Sequence, residues 1–373
     1  MASKIINTFR IFLSLEINQP AKSLVWVKAG YRYKGTGFAV SENNSALFTH
    51  LLCAFSYLNS TSYELSIPRS DENKFSTFTE TVKRKNPSVA TLLSIGGVLS
   101  IGGETSTLST SYPLMASNPS YRKSFIASTM KISRLYGFGG LDLAWIPGLL
   151  SSNMTNMGTL FQDWRAAIEL EAKKSSQSPL ILTARVDYTS NGIRPGSYPT
   201  QSIQNYLDWI HVQASDYNRP EWSNFTGAHA ALYNPTSILS GDYGIRTWIE
   251  GGVSANKLVL CLPYYGYAWT LLNPKSNCIG VVAIGPAITA DGFLRYYHIK
   301  NSIKGNKVIQ VKYYADYVVN YCTIGNIWIG FDDVKVVKTK VSYAKEKGLR
   351  CYYVWEVPYD DDWVLSEAAS KQY

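Results

Sequence analysis

The chain has 373 residues, enough for one large domain or two. At 46% hydrophobic and 17% charged, its composition is that of a soluble globular protein, and no low-complexity run interrupts it. The formal net charge of +9 is dispersed: Lys83-Arg84-Lys85 is the densest basic run and no nucleic-acid motif is present, which argues against a nucleic-acid partner.

Residues 1–23 read as a degenerate leader. Lys4 begins a basic start and Ile5 to Leu15 is mostly apolar, but Asn7, Arg10 and Glu16 interrupt the pattern. The segment is also too short and broken to span a membrane. From residue 24 onward, strand-like and helix-like segments alternate. Leu24–Tyr31 and Ala46–Leu58 predict strands, Asp71–Asn86 a helix, and Ala90–Ile95 a strand ending in Gly96-Gly97. A helix over Tyr121–Tyr136 leads into the strand Gly137–Trp145, followed by the amphipathic helix Thr155–Lys174. Strands at Leu180–Tyr188 and Trp209–Asp216, a helix at Asp242–Gly251, a strand at Leu258–Tyr264, a helix at Val334–Lys347 and a strand at Cys351–Val357 complete the series. Eight strands with intervening helices, and no Gly-rich phosphate turn, favour a (β/α)8 TIM barrel over a doubly wound α/β sheet. Residues 268–326 break the alternation with Pro274, Pro286, an Asp291-Gly292 turn and a strand-like Val308–Tyr314, and read as a small α+β insertion subdomain within a barrel covering 24–373.

In such a barrel, the residues at the C-terminal strand ends face the functional site. Here they include Tyr31, Phe55, Gly96-Gly97, Asp142 to Ile146, Asp187-Tyr188, Asp216, Tyr264 to Tyr267 and Trp355. A mouth lined by aromatic rings and two carboxylates suits stacking on sugar faces and hydrogen bonding to hydroxyl or amide groups. Strand alternation puts Asp142, Ala144 and Ile146 on one face and Leu141, Leu143 and Trp145 on the other. The four histidines are scattered and no Cys/His spacing suggests a metal, so neither metal nor cofactor is expected. Of five cysteines, Cys53, Cys261 and Cys351 lie in apolar strand-like runs, while Cys278 and Cys322 are candidates for pairing. Asn-x-Ser/Thr tripeptides at Asn43, Asn59, Asn153 and Asn224 are compatible with a secretory route.

Several stretches together resemble the plant class V chitinases of glycoside hydrolase family 18. They are Leu47-Phe-Thr-His-Leu-Leu-Cys-Ala-Phe55, Thr91-Leu-Leu-Ser-Ile-Gly-Gly97, Met115-Ala-Ser-Asn-Pro119, Arg122-Lys-Ser-Phe125, Pro263-Tyr-Tyr-Gly-Tyr-Ala-Trp269 and Trp328-Ile-Gly-Phe-Asp-Asp333. The resemblance runs from about Val27 to the C-terminus. It implies secretion or vacuolar targeting, and a cleft whose sugar-binding residues are Trp355, Tyr31, Phe55, Asp142, Asp216, Tyr265, Tyr267 and Trp269. Arg32 stands where relatives carry an aromatic residue.

The resemblance also exposes what is missing. The family signature Asp-x-x-Asp-x-Asp-x-Glu falls on Gly139, Asp142, Ala144 and Ile146, so only its second acid survives. In active relatives the Glu protonates the glycosidic oxygen, while the substrate's acetamido group attacks the sugar carbon and the third Asp orients it. Ile146 carries no proton to transfer and Ala144 cannot stabilise a developing charge. The sixth-strand pattern Met-x-Tyr-Asp reads Gln213-Ala-Ser-Asp216, so Ser215 replaces the hydroxyl that would hold the acetamido oxygen. Losing a general acid alone removes about two to four decades of rate. Glu104, Asp187 and Glu356 lie near strand ends, but none is on the fourth-strand ladder. Arg185, where relatives carry a small residue, is expected to enter the vacated space and pair with Asp142 or Asp187. The expected function is a catalytically inactive chitinase-like lectin for oligosaccharide or glycoprotein glycans containing N-acetylglucosamine, with a homodimer as one arrangement. The alternatives are a residual or altered chitinase, or an inhibitor of foreign glycosidases or xylanases.

Overall fold

The computed structural model describes residues 26–33, 38–96, 105–146, 151–191, 197–305 and 309–372. The predicted leader, Gly97 and Glu104 lie outside them. Eight parallel strands follow one another around a closed barrel: Val27–Tyr33, His50–Leu58, Ala90–Gly96, Gly140–Ala144, Ile181–Asp187, Trp209–Gln213, Leu258–Pro263 and Cys351–Trp355. The first strand closes the ring by pairing Val27 with Cys351 on one side and Ala29 with His50 on the other. These are the eight strands expected from the sequence, with ends moved by a few residues. Their nearly continuous apolar runs follow from burial on both faces, against the barrel interior and against the helices outside. Helices Thr105–Ser117, Thr200–Tyr206 and Val364–Ser370 are additional to the predicted set.

Local chemistry sets the helix starts. Asn118 accepts from the Ser120 and Tyr121 amides, with Pro119 opening the helix to Leu135. Ser240 and Asp333 cap the helices Gly241–Glu250 and Val334–Glu346 through their side-chain oxygens. At the end of the third strand, Gly96 has φ +137°, and a Cβ there would lie 2.5 Å from the Ala144 carbonyl oxygen. Only glycine permits that approach, which brings the third and fourth strands together beside the predicted site.

Between the seventh and eighth barrel strands the chain builds a second, antiparallel sheet. It contains Tyr265–Leu271, Ala283–Pro286, Phe293–Arg295, Lys312–Tyr314, Val319–Ile324 and Ile327–Phe331, with helix Tyr296–Lys304 beside it. Trp269 and Trp328 cross edge to face in its core at 5.3 Å. None of the five cysteines forms a disulfide. The expected Cys278–Cys322 pairing does not form, because Cys322 is buried on a sheet strand and Cys278 sits at the surface. Among the glycosylation tripeptides, Asn43 and Asn153 are buried, whereas Asn59 and Asn224 are exposed.

A buried ion pair ties the helix Val334–Glu346 to the end of the inserted sheet and to the loop after the sixth barrel strand. Lys340 Nζ donates to Asp332 Oδ2 and to the Ala230 carbonyl, each at 2.5 Å, and both side chains are almost wholly inaccessible. Burial pushes the Asp332 carboxyl up, and Lys340 opposes that shift. Removing one member of such a pair strands the other charge without solvent. Lys340→Met is therefore expected to lower unfolding stability by about 3–5 kcal/mol, measured by urea denaturation of both proteins at neutral pH.

Candidate functional site

The barrel centre is organised by one carboxylate. Asp142, on the fourth strand, is fully buried. Its Oδ2 accepts from the Tyr31 hydroxyl and from Ser94 Oγ, both at 2.7 Å. Its Oδ1 accepts from Thr183 Oγ1 at 2.7 Å and faces His211 Nδ1 at 3.1 Å. The Trp209 indole, which can only donate, reaches His211 Nε2 at 3.0 Å. Nε2 is therefore the acceptor and the neutral ring carries its proton on Nδ1, directed at Asp142. Burial works against the Asp142 charge, but the bonds from His211, Ser94 and Thr183 outweigh it and hold the carboxyl below its ordinary range. Asp142 is thus an ionised acceptor with both oxygens engaged by the protein.

Above this layer lies an aromatic one. The half-buried Trp355 stacks on Phe55 at 6.0 Å and leans on Tyr31 at 5.3 Å, while Tyr31 meets Tyr353 edge-on at 5.4 Å. Beside it, Asp216 occupies a left-handed backbone position with φ +66°. Its Oδ1 accepts from the Tyr265 hydroxyl at 2.8 Å and from the Tyr267 hydroxyl at 3.0 Å. Tyr265 also lies 3.0 Å from Ser215 Oγ. Both tyrosine hydroxyls are pushed upward in pKa, first by burial and then by the Asp216 charge, so they remain protonated donors.

The eight expected sugar-binding residues divide into two groups. Trp355 and Asp216 retain accessible surface at the mouth. Tyr31, Phe55 and Asp142 have none, and Tyr265 and Tyr267 have almost none; they form the layer that supports the first two. Trp269 is a correction: it is fully buried against Trp328 and its indole donates to the Ser223 carbonyl at 3.3 Å, so it packs the inserted sheet and offers no face to a ligand. The alternation along Tyr265–Leu271 explains this. Tyr265, Tyr267 and Trp269 share one face, but each step of two residues advances roughly 6–7 Å from the mouth into the sheet.

Ala144 ends the fourth strand and is buried, and the half-buried Ile146 follows it. Trp145 turns outward onto Tyr112, with ring centres 5.6 Å apart, as the alternation requires. Arg185 enters the barrel mouth as expected, but with other partners. Its Nη2 donates to Gln213 Oε1 at 2.6 Å and its guanidinium lies 5.1 Å from the Trp355 ring centre. The expected pairing with Asp142 or Asp187 does not form; the four partners of Asp142 pre-empt the first, and Gln213 takes the guanidinium in place of the second. Trp222 is absent from the sequence expectation. It is 61% exposed, with the Arg219 guanidinium 4.7 Å from its ring and 5.2 Å from that of Tyr267. Its place in the loop just after the sixth strand was the available signal.

Glu356, at this end, has a carboxyl suited to a neutral-pH general acid, pushed up to about 7 chiefly by burial. It is nevertheless wholly inaccessible, and its Oε2 accepts from the Tyr33 amide at 2.7 Å. Because its folded value exceeds the unfolded one, the folded chain binds this proton more tightly. Its contribution to stability is complete below about pH 4.3 and is lost as pH rises through 7, a span on the order of 3 kcal/mol. Glu356→Gln should flatten the fall in urea midpoint between about pH 4.5 and 7.5 that this group imposes; a slope identical to that of the unmodified protein would refute the assignment.

Comparison with known proteins places these features in context. The sequence pattern of Glycosyl hydrolases family 18 matches residues 26–360. A class V chitinase of Arabidopsis thaliana is 44% identical over 368 residues, covering 98% of this chain and 94% of that protein. The crystal structure of a mutant class V chitinase from Nicotiana tobaccum in complex with NAG4 superposes with a TM-score of 0.89 at 41% identity, covering 93% of this chain and 98% of the other. A chitinase-like agglutinin from Robinia pseudoacacia superposes with a TM-score of 0.86 at 40% identity, covering 93% and 99%.

Proposed function

The chain belongs to glycosyl hydrolase family 18, and we propose that within it this protein is a lectin that binds glycans containing N-acetylglucosamine, or related sugars, without cleaving them. The observation that carries this reading is the fourth-strand ladder. Where a transferable proton is required there is Ile146, and next to it the methyl of Ala144. Asp142 cannot stand in, because it is an ionised acceptor with both oxygens occupied, and Glu356 is sealed from the mouth. The binding side of the site is better kept. Trp355 rests on Phe55 and Tyr31, and Asp216 is held by two tyrosine hydroxyls, which fixes an apolar surface beside a hydrogen-bond acceptor. The NAG4 complex of a relative and the agglutinin are consistent with such a role.

Turnover of a chromogenic chitooligosaccharide is expected at least about three decades below that of an active relative, given the loss of acid catalysis; comparable turnover would refute the lectin reading. Calorimetric binding to an N-acetylglucosamine oligomer is expected to fall at least about tenfold in Trp355→Ala, as for loss of an aromatic anchor. Restoring the ladder with Ala144→Asp, Ile146→Glu and Ser215→Tyr should recover less activity than the same triple change with Arg185→Ala, because the guanidinium shares the mouth with the restored acids.

Similarity to class V chitinases supports a secretory or vacuolar route as part of this reading. No helix among the described residues is long and apolar enough to cross a membrane. On that route, peptide mapping after glycosidase treatment should find glycans at Asn59 and Asn224 and none at Asn43 or Asn153.

A further inference from the structure

We infer that the mouth of the barrel selects sugars bearing a carboxylate over neutral and amino sugars, with Arg185 as the partner of the acid group. The inference rests on the lectin reading above and specifies its ligand.

Thr183 and Arg185 are two residues apart on the fifth strand, and Thr183 Oγ1 reaches Asp142 at the barrel centre, so Arg185 projects from the same inner face. A guanidinium has five N–H donors. Gln213 takes one of them, at Nη2. Neither Nε nor Nη1 makes a hydrogen bond with the described residues, and neither is among the buried polar atoms that lack a partner. Nε and Nη1 therefore keep accessible surface and unused donors, and Arg185 as a whole is partly buried.

No carboxylate lies within ion-pair distance of Arg185 among the described residues. Asp142 is enclosed by Tyr31, Ser94, Thr183 and His211, and Asp216 is engaged by Tyr265 and Tyr267. Ala144 and Ile146 carry no charge to repel an anionic ligand; Asp216 is the acid that remains at the mouth, with Oδ1 held by the two tyrosine hydroxyls. The guanidinium is also held in place. Trp355 lies 5.1 Å from it, and Gln213, whose Nε2 approaches Asp216 Oδ2 at 3.5 Å, fixes one arm of the fork. A planar, oriented fork with free donors matches a carboxylate bidentately. The formal charge of +9 favours approach of such a ligand.

The test is calorimetry on the full chain at low salt with matched ligands. One pair is a tetrasaccharide alternating N-acetylglucosamine and glucuronate and its carboxyl-reduced form. A second pair is a sialylated lactosamine and its desialylated form, which separates a uronate from a sialic acid source. Chitotetraose and its de-N-acetylated form complete the set. At least one acidic member is expected to bind about ten- to a hundredfold more tightly than its neutral partner, and the de-N-acetylated chitotetraose more weakly than the acetylated one. The acid preference should disappear in Arg185→Met and persist in part in Arg185→Lys. Equal binding within both pairs overturns the inference, as does a preference that survives Arg185→Met. In either case, binding of chitotetraose would leave the lectin reading standing, whereas no binding of any sugar would overturn both. If Arg185→Met does not fold, the matched pairs on the unmodified protein decide the question.

Discussion

The satisfaction of the Asp142 carboxylate is the constraint around which the barrel is assembled. A bare carboxylate in a closed apolar interior would be prohibitively costly. Here the donors come from the first, third, fifth and sixth strands onto an acceptor carried by the fourth. Five of eight strands are thereby fixed in height relative to one another by side-chain bonds in addition to the backbone ladder. The Trp209 indole extends the network by choosing the tautomer of His211. The arrangement is self-consistent only when every member is present, as buried polar networks generally are.

This changes what a surviving acid in a catalytic signature means. Asp142 is the member of the ladder that the fold uses, whereas Gly139, Ala144 and Ile146 occupy positions the fold can leave without a charge. A Cβ at Gly139 would approach nothing closer than the Thr91 carbonyl oxygen at 3.8 Å. Chemistry and architecture thus separate along the eight residues from Gly139 to Ile146, and stability suffices to explain why Asp142 is kept.

Much of the fold was legible from the chain because parallel barrel strands write themselves as apolar runs, and the helices between them carry a 3.6-residue pattern. The helix Thr105–Ser117 escaped because its Ser/Thr-rich face and Pro113 blur that pattern, and Thr200–Tyr206 because seven largely polar residues with one buried anchor, Ile203, cannot display it. At the site, Trp355 was legible as a strand end and Asp216 from its place just past one. The donors to Asp142 were not, because they meet across the barrel from strands far apart in sequence. Exposure was also beyond the reach of periodicity: Tyr267 and Trp269 look alike as neighbours on one strand face, yet one touches the mouth and the other the interior of a second sheet.

The buried Asn43 sets a condition on how the protein can be made. Its amide lies within the fold, with neither polar atom hydrogen-bonded. In a secretory lumen the oligosaccharide is transferred to a chain that is still extended, so closure of the segment around Val40–Leu47 competes in time with modification of that amide. A glycan attached there could not be accommodated, and each such chain would be diverted from assembly. Yield along that route would then be governed by the speed of early folding rather than by the stability of the finished barrel.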